Sequence, residues 1–315
     1  MFDILTLGEI LIDLTQSGET ENGIPLYSAN PGGAPANVAV AASRLGASAA
    51  FIGKVGNDAY GGFLLKTLKI NNVNTDGVIV DNSANTTLAV VSVNERGERD
   101  FAFYRKNSAD TLLSENEITD QQLGDTHILH FGSVSLTDEP SRTATLSAVR
   151  RAREFGATIT YDPNYRASLW NSEAQAVEQM KNPLSLVDIL KVSDEEIPLI
   201  CGTDNIEEAA KQLCEQYDIK LVLVTLGAKG AYYRFKDCDG VVPGVKVTVA
   251  DTNGAGDTFF GAFLSRLAHI KKYNPSEFSK EDIKQALAFA NRAAAITTSR
   301  SGAIPAMPTL GEVED

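Results

Sequence analysis

From residue 127 onward the chain alternates short apolar runs with longer segments of helical spacing, and this alternation constrains the fold more than any other feature of the sequence. The apolar run 127–131 precedes a helix expected over 141–155, the run 158–161 precedes 172–180, and 189–192 precedes 206–216, with 221–225 closing the series. Short apolar runs bounded by polar turns read as strands buried on both faces, and strands separated by helices pair in parallel. The expected class is therefore α/β with a mainly parallel sheet. In such sheets ligands collect beyond the carboxyl ends of the strands. Three polar clusters fall at those ends: Asp162-Pro163-Asn164-Tyr165-Arg166, Ser193-Asp194-Glu195-Glu196 and Thr225-Leu226-Gly227-Ala228-Lys229-Gly230.

The preceding part of the chain reads as a second arrangement. Residues 2–8 form a short buried strand with acids following at 9–13, 17–22 a polar turn, and 24–30 a returning strand. Asn30-Pro31-Gly32-Gly33-Ala34-Pro35-Ala36-Asn37 leads into an Ala-rich helix, 38–46, that stops at a C-terminal glycine. A strand at 49–55, a helix at 61–71 and a strand start at 78–80 follow. The runs 86–93 and 99–104 flank Asn94-Glu95-Arg96-Gly97-Glu98, a strong hairpin signal. Alternation puts Phe101, Phe103 and Arg105 on one face, either of a half-buried strand or of a lid over a ligand; the α/β elements on both sides favour the lid. Later, 231–235 and 241–249 add β structure and 283–298 a long helix. With no internal repeat, low-complexity tract or linker, residues 1–315 read as one domain with lid strands inserted at about 12–30 and 86–106.

Composition narrows the partners. A chain of 315 residues that is 43% hydrophobic can bury a large core, while a net charge of −13 argues against a nucleic-acid or anionic-membrane surface. An anionic substrate would then need local help from backbone dipoles, a metal ion or a few placed arginines. Cys201, Cys214 and Cys238 show neither a disulfide framework nor metal spacing and read as buried thiols of a reducing compartment. Asp3, Glu9 and Asp13 interrupt the apolar N-terminus, which is not a signal peptide, and no stretch has transmembrane length. A soluble, cytoplasmic protein is expected. His127, His130 and His269 lack ligand spacing and read as structural, and the P-loop, G-x-G-x-x-G and G-x-S-x-G patterns are absent.

One stretch stands apart: Asp251-Thr252-Asn253-Gly254-Ala255-Gly256-Asp257, with a helix expected to begin at Asp257 and run through the apolar residues 258–264. Two glycines around an alanine let amide N–H groups converge at a helix start, where anions are favoured. A carboxylate at Asp257 would repel such an anion and makes sense beside it as a base. The competing reading is an N-cap, for which Asp is well suited. Spacing alone leaves both open.

Taken together, Gly32-Gly33-Ala34-Pro35-Ala36-Asn37, continuing to Gly46 and Gly56, and Asp251 to Asp257, in this order and about two hundred residues apart, resemble the two signatures of the PfkB or ribokinase family of sugar kinases. The likeness spans nearly the whole chain. Within the family it runs to bacterial and plant fructokinases, through residues 32–40, Phe51-Ile52-Gly53-Lys54-Val55-Gly56 and Phe101 to Asp110. The resemblance implies a ribokinase-like three-layer αβα sandwich with a small β-sheet lid. It implies Asp257 as the base that takes the proton of a sugar hydroxyl attacking the γ-phosphate of ATP, and the amides of Gly254, Ala255 and Gly256 as the anion hole. Asp13, Gly32, Gly33 and Asn37 match sugar-binding positions, with Phe101 and Phe103 from the lid, and Arg105 and Arg166 match placed cations for phosphate or product. Asn164, Lys191, Ser193, Glu196, Thr225, Gly227, Gly230 and Asn291 match the nucleotide side.

Glu196 matches the glutamate that organises Mg²⁺ and its waters, although Ser193 stands where the family motif has Asn. Asp251, Asn253, Thr297, Arg300, Gly302 and Ala306 match a monovalent-cation site, which would be potassium. Phe131 to Ser135 lacks the acid that ribokinases use on ribose. The resemblance thus implies an ATP-dependent fructokinase with Mg²⁺, K⁺ and a homodimer through the lid. Two other readings compete: a kinase for 2-keto-3-deoxygluconate, tagatose 6-phosphate or a nucleoside, and a non-catalytic sugar-binding regulator on the same scaffold.

Overall fold

In chain order the strands are β1 (Phe2–Leu7), β2 (Leu11–Glu19), β3 (Pro25–Gly32), β4 (Ala49–Gly56), β5 (Asn74–Asp81), β6 (Leu88–Val93), β7 (Arg99–Tyr104), β8 (Thr126–Gly132), β9 (Thr158–Asp162), β10 (Ile189–Ser193), β11 (Leu221–Thr225), β12 (Gly230–Phe235) and β13 (Cys238–Pro243). The computed structural model describes residues 1–93 and 99–314, without the side chains of 92, 93 and 99 to 101. The turn expected at Asn94 to Glu98 and the side chain of Phe101 lie outside the described residues.

Nine strands form one sheet in the order β13-β12-β11-β10-β9-β8-β1-β4-β5, parallel from β11 through β5 and antiparallel only at β11–β12–β13. Because successive strand residues point to opposite faces, each apolar run feeds two cores. Leu5, Leu7, Leu190, Val192, Val222 and Val224 join one core with Ala148 and Val149 of the helix Ser141–Glu154 and Leu213 of the helix Ile206–Tyr217. Ile4, Ile128, Ile189, Leu221 and Leu223 join the other, with Phe260 and Phe263 of the helix Ala255–His269 and Leu287 of the helix Lys280–Thr298. The helix Ala34–Arg44 packs on the same side. The result is the expected three-layer αβα sandwich.

The chain builds β4 to one side of β1 and β8 to the other, so strand order reverses between β1 and β8. A crevice opens beyond the carboxyl ends at such a reversal. The four remaining strands pair as β3-β2-β6-β7. This small sheet joins the main one through the β1–β2 connection at Gly8 to Ile10 and through Gly33, which starts the helix Ala34–Arg44.

Three local expectations change. Strand β2 runs through Glu19 where a polar turn was expected, because β3 pairs with it as far as Pro25, across a bulge between Gln16 and Gly18. The turn is instead Thr20 to Ile24, closed by the Thr20 N–H to Ile24 O bond at 2.8 Å. Strand β13 stops at Pro243, since β12, its partner, begins at Gly230 opposite it and leaves 244–249 no ladder to continue. The three cysteines are unpaired, and half-buried where full burial was expected. Among the described residues, no helix is long and apolar enough to cross a membrane.

Candidate active site

Two glycine turns face each other across the crevice. At the first, Gly33 caps the helix Ala34–Arg44 at φ 105°, a conformation that L side chains avoid. A Cβ there would stand 2.5 Å from Glu9 O and 2.9 Å from Ile10 Cα, so only glycine lets β3 return this close to the end of β1. At Gly32, a Cβ would stand 2.4 Å from Asp13 Oδ2, which places the Asp13 carboxylate directly over the turn.

At the second turn Gly254, at φ 72°, caps the helix Ala255–His269, which begins two residues earlier than expected because the left-handed glycine admits the helix at once. Asp257 therefore lies in the first turn of the helix, and its side chain does not fold back to cap it. Its Oδ2 accepts from Asn37 Nδ2 at 2.8 Å and its Oδ1 from Asn164 Nδ2 at 3.2 Å. The carboxylate thus lines the crevice and bonds to two side-chain amides from other elements. The Ala255 N–H turns back to Thr252 O at 3.3 Å. Burial raises the Asp257 carboxyl above the ordinary carboxylate range; the Asn37 bond and the charges of Lys191 and Arg166 act the other way.

Beneath this turn lies a buried ion pair, Lys191 Nζ to Asp162 Oδ2 at 2.7 Å. A Cβ on Gly256 would stand 3.1 Å from the ammonium, so the cation sits against the glycine turn. Burial pushes Asp162 up while Lys191 pulls it back; burial pushes Lys191 down, and Asp162 and then Glu196 more than offset that. Asp162 Oδ1 also accepts the Asn164 N–H at 3.2 Å, which fixes the residue holding Asp257.

The residues expected on the nucleotide side lie about the adjoining strand ends. Ser193 pairs with Thr225 across β10 and β11, and Thr225 Oγ1 donates to Val192 O at 3.4 Å. The Glu196 carboxylate accepts the Ser193 and Tyr165 N–H groups at 2.8 and 2.7 Å. Gly227 and Gly230 both have positive φ, and a Cβ on Gly230 would stand 2.1 Å from Val242 O. Asn291 Nδ2 donates to Val242 O and Pro243 O at 3.1 and 3.0 Å, pinning the end of β13 beside that loop.

Asp251 staples the two segments expected around a cation: its Oδ1 accepts from Asn253 N–H at 2.7 Å and its Oδ2 from Gly302 N–H at 3.0 Å. The Thr297 hydroxyl bonds back to Ala293 O at 3.2 Å, the Arg300 guanidinium pairs with Glu312 at 2.6 Å, and the Ala306 N–H bonds to Ala303 O at 3.0 Å. Among the described residues, no group of three or more His, Cys, Asp and Glu side chains is arranged to hold a metal ion.

The crevice is lined by Glu9, Asp13, Gly33, Asn37, Phe103, Asn164, Arg166, Asn253 and Asp257, among others. Arg105 is placed differently from the expectation of a cation reaching out of the lid. It is buried, and it donates to Asp110 at 2.7 Å, Asp138 at 3.2 Å, Val134 O at 3.0 Å and Thr137, bracing the return of β7 to the main sheet. Asp110, only five residues on, supplies a buried carboxylate that captures the guanidinium. His130 is structural: it is buried, bonds to Thr160 at 3.2 Å and meets Phe260 edge-on, and burial lowers it to about 3.

Sequence reasoning passed over Glu9 and Asp162 as site residues. Glu9 lies at the end of an apolar strand directly after a glycine, and Asp162 opens a cluster already placed at a strand end. Those positions were the available signal.

The model of the pfkB family of carbohydrate kinases matches residues 1–310. Fructokinase-1 of Zea mays is 43% identical over 313 residues, covering 98% of this chain and 96% of that protein. A crystal structure of fructokinase with bound ATP from Xylella fastidiosa superposes with a TM-score of 0.90 at 34% identity, covering 99% of this chain and 97% of that one. A fructokinase from Vibrio cholerae O395 in a form with fructose, ADP and calcium ion bound gives 0.89 at 34% identity, covering 99% and 98%.

Proposed function

Because the chain belongs to the pfkB family of carbohydrate kinases, we propose that the crevice carries ATP-dependent phosphorylation of a sugar, and that the chain is an ATP-dependent fructokinase. The observation that carries the reaction is the Asp257 carboxylate, desolvated and held between two side-chain amides in the first turn of a helix, on the wall of the crevice. Asp257 takes the proton of the C6 hydroxyl of fructose as that oxygen bonds to the γ-phosphorus of ATP. The β,γ-bridging oxygen leaves with the electron pair as ADP, and fructose 6-phosphate forms. The first-turn amides from Gly254 to Gly256, with the buried Lys191 and the nearby Arg166, stabilise the charge spread over the transferring group.

The wall opposite favours a polyol. The buried oxygens Glu9 Oε2 and Asn37 Oδ1 have no hydrogen-bond partner, and Asp13 stands above Gly32; such a set of acceptors calls for a ligand rich in hydroxyl donors. In our reading Asp13, Gly32, Gly33, Asn37 and Phe103 seat the sugar. Asn164, Ser193, Glu196, Thr225, Gly227, Gly230 and Asn291 serve the nucleotide. Coupled assays on fructose, 2-keto-3-deoxygluconate, tagatose 6-phosphate and a nucleoside test the substrate: fructose should show the highest kcat/KM, and a clear preference for another acceptor would refute it.

Mg²⁺ needs few protein ligands when it arrives with a nucleotide. Glu196, fixed by two amides with its remaining lone pairs unspent, fits that need through water and would help the ion neutralise the phosphates. The stapled segments at Asp251 and Gly302 would offer backbone carbonyls to a monovalent cation, and exchange of potassium for choline in the assay tests that dependence. Residues 1–315 act as one kinase domain whose small sheet closes over the sugar. The exposed Ile24, Leu26 and Tyr27 on and beside β3, with Tyr104 on β7, support a dimer through that sheet. Sedimentation should give twice the monomer mass, and a monomer at assay concentration would exclude it. A cytoplasmic setting goes with this reading, and the three unpaired thiols suit it.

A further inference from the structure

Glu9 follows Gly8 at the carboxyl end of β1, where the strand order of the main sheet reverses and the chain crosses to the small sheet. It is 2% exposed, yet it lines the crevice that holds Asp257. One carboxylate oxygen, Oε1, accepts the Ala34 N–H at 3.0 Å, which ties the side chain to the start of the helix Ala34–Arg44 and fixes its direction. The other, Oε2, has no hydrogen-bond partner. Burial raises the Glu9 carboxyl to about 7, and Arg105, whose charge acts the other way, already donates to Asp110, Asp138, Thr137 and Val134 O. A buried acceptor left in this state is costly unless a donor arrives, and a wall with such an acceptor rejects ligands that lack the matching donor.

We propose that Glu9 is a specificity-determining residue of the sugar site, its second carboxylate oxygen taking one non-reacting hydroxyl of the acceptor while the first holds the Ala34 amide. The proposal rests on reading the crevice as a sugar site. It gives Glu9 two jobs that a single measurement can separate. Propping Ala34 is independent of which hydroxyls the sugar carries; accepting a hydroxyl is not.

The test is a cycle between residue and substrate. Fructose analogues that each lack one non-reacting hydroxyl are compared on the native enzyme and on Glu9→Gln, which keeps an oxygen for Ala34. For the native enzyme assayed above about pH 8, where Glu9, raised to about 7 by burial, is ionised, removal of one particular hydroxyl should raise KM about 10- to 100-fold, the range expected for a hydrogen bond to a charged acceptor. Glu9→Gln should raise the KM for fructose by a similar factor with kcat within about threefold, and should be indifferent to loss of that same hydroxyl. If every deletion costs the variant as much as it costs the native enzyme, Glu9 only props the helix and the proposal fails. It fails also, with no variant needed, if no single deletion moves the native KM beyond threefold. Should Glu9→Gln not fold, Glu9→Asp carries the cycle, its carboxylate withdrawn by one methylene. If fructose proves not to be the acceptor, the same cycle applies to the sugar that is, so the substrate reading and the role of Glu9 fail separately.

Discussion

Asp257→Asn should lower kcat for fructose phosphorylation by about 10²- to 10⁴-fold or more, the loss expected when a general base is removed, while fructose and ATP affinities stay within a few fold. The asparagine keeps the shape and can still meet Asn164 or Asn37, so the seat survives and the proton acceptor is gone. A near-native rate in the variant would exclude Asp257 as the base. Absence of turnover in the native protein, with sugar binding intact, would instead favour the regulator reading. The pH profile adds a second signature. A base works only when deprotonated, and burial raises Asp257, so the acid limb of kcat/KM should lie above the ordinary carboxylate value of about 3.9. Activity is lost as pH falls through that raised value, and the limb should vanish from the residual activity of the variant.

Lys191→Met should destabilise the fold by about 3–5 kcal/mol and remove most activity, because it leaves Asp162 as an unpaired charge in the floor of the site. Lys191 and Asp162 are 6% and 2% exposed, so water can compensate little. The double variant Lys191→Met with Asp162→Asn should recover much of the stability, since the orphan charge disappears and the Asn164 N–H keeps an acceptor. Its activity should stay low, for the cation under the Gly256 turn is still missing. Thermal melts paired with kcat measurements check both halves; recovery of stability and activity together would mean that Lys191 contributes only to folding.

How much of this was legible in the sequence follows from how local each feature is. The main sheet was, because buried parallel strands are short apolar runs and need no partner to be recognised. The helix start at the Gly254 to Asp257 turn was, because it sits within one stretch of seven residues. The Lys191–Asp162 pair was not: its members lie on neighbouring strands, and only the registry of β9 against β10 brings them together. Arg105 looked like a free cation because Asp110 and Asp138 meet it only after β7 has returned to the main sheet. Polar residues at 17–19 read as a turn because an exposed strand needs no apolar alternation, so pairing alone reveals it.

The small sheet also has a mechanical consequence. Its central ladder pairs β2 with β6 in parallel, Ile12 opposite Leu88 through Thr15 opposite Val91, so it is held by two segments distant in the chain rather than by one hairpin. The ladder therefore ties the two segments into one plate whose ends lie apart: Asp13 stands over the Gly32 and Gly33 turn, and the turn Thr20 to Ile24 lies at the far end of β2. A fluorescent reporter at that turn would report on the plate without touching the crevice.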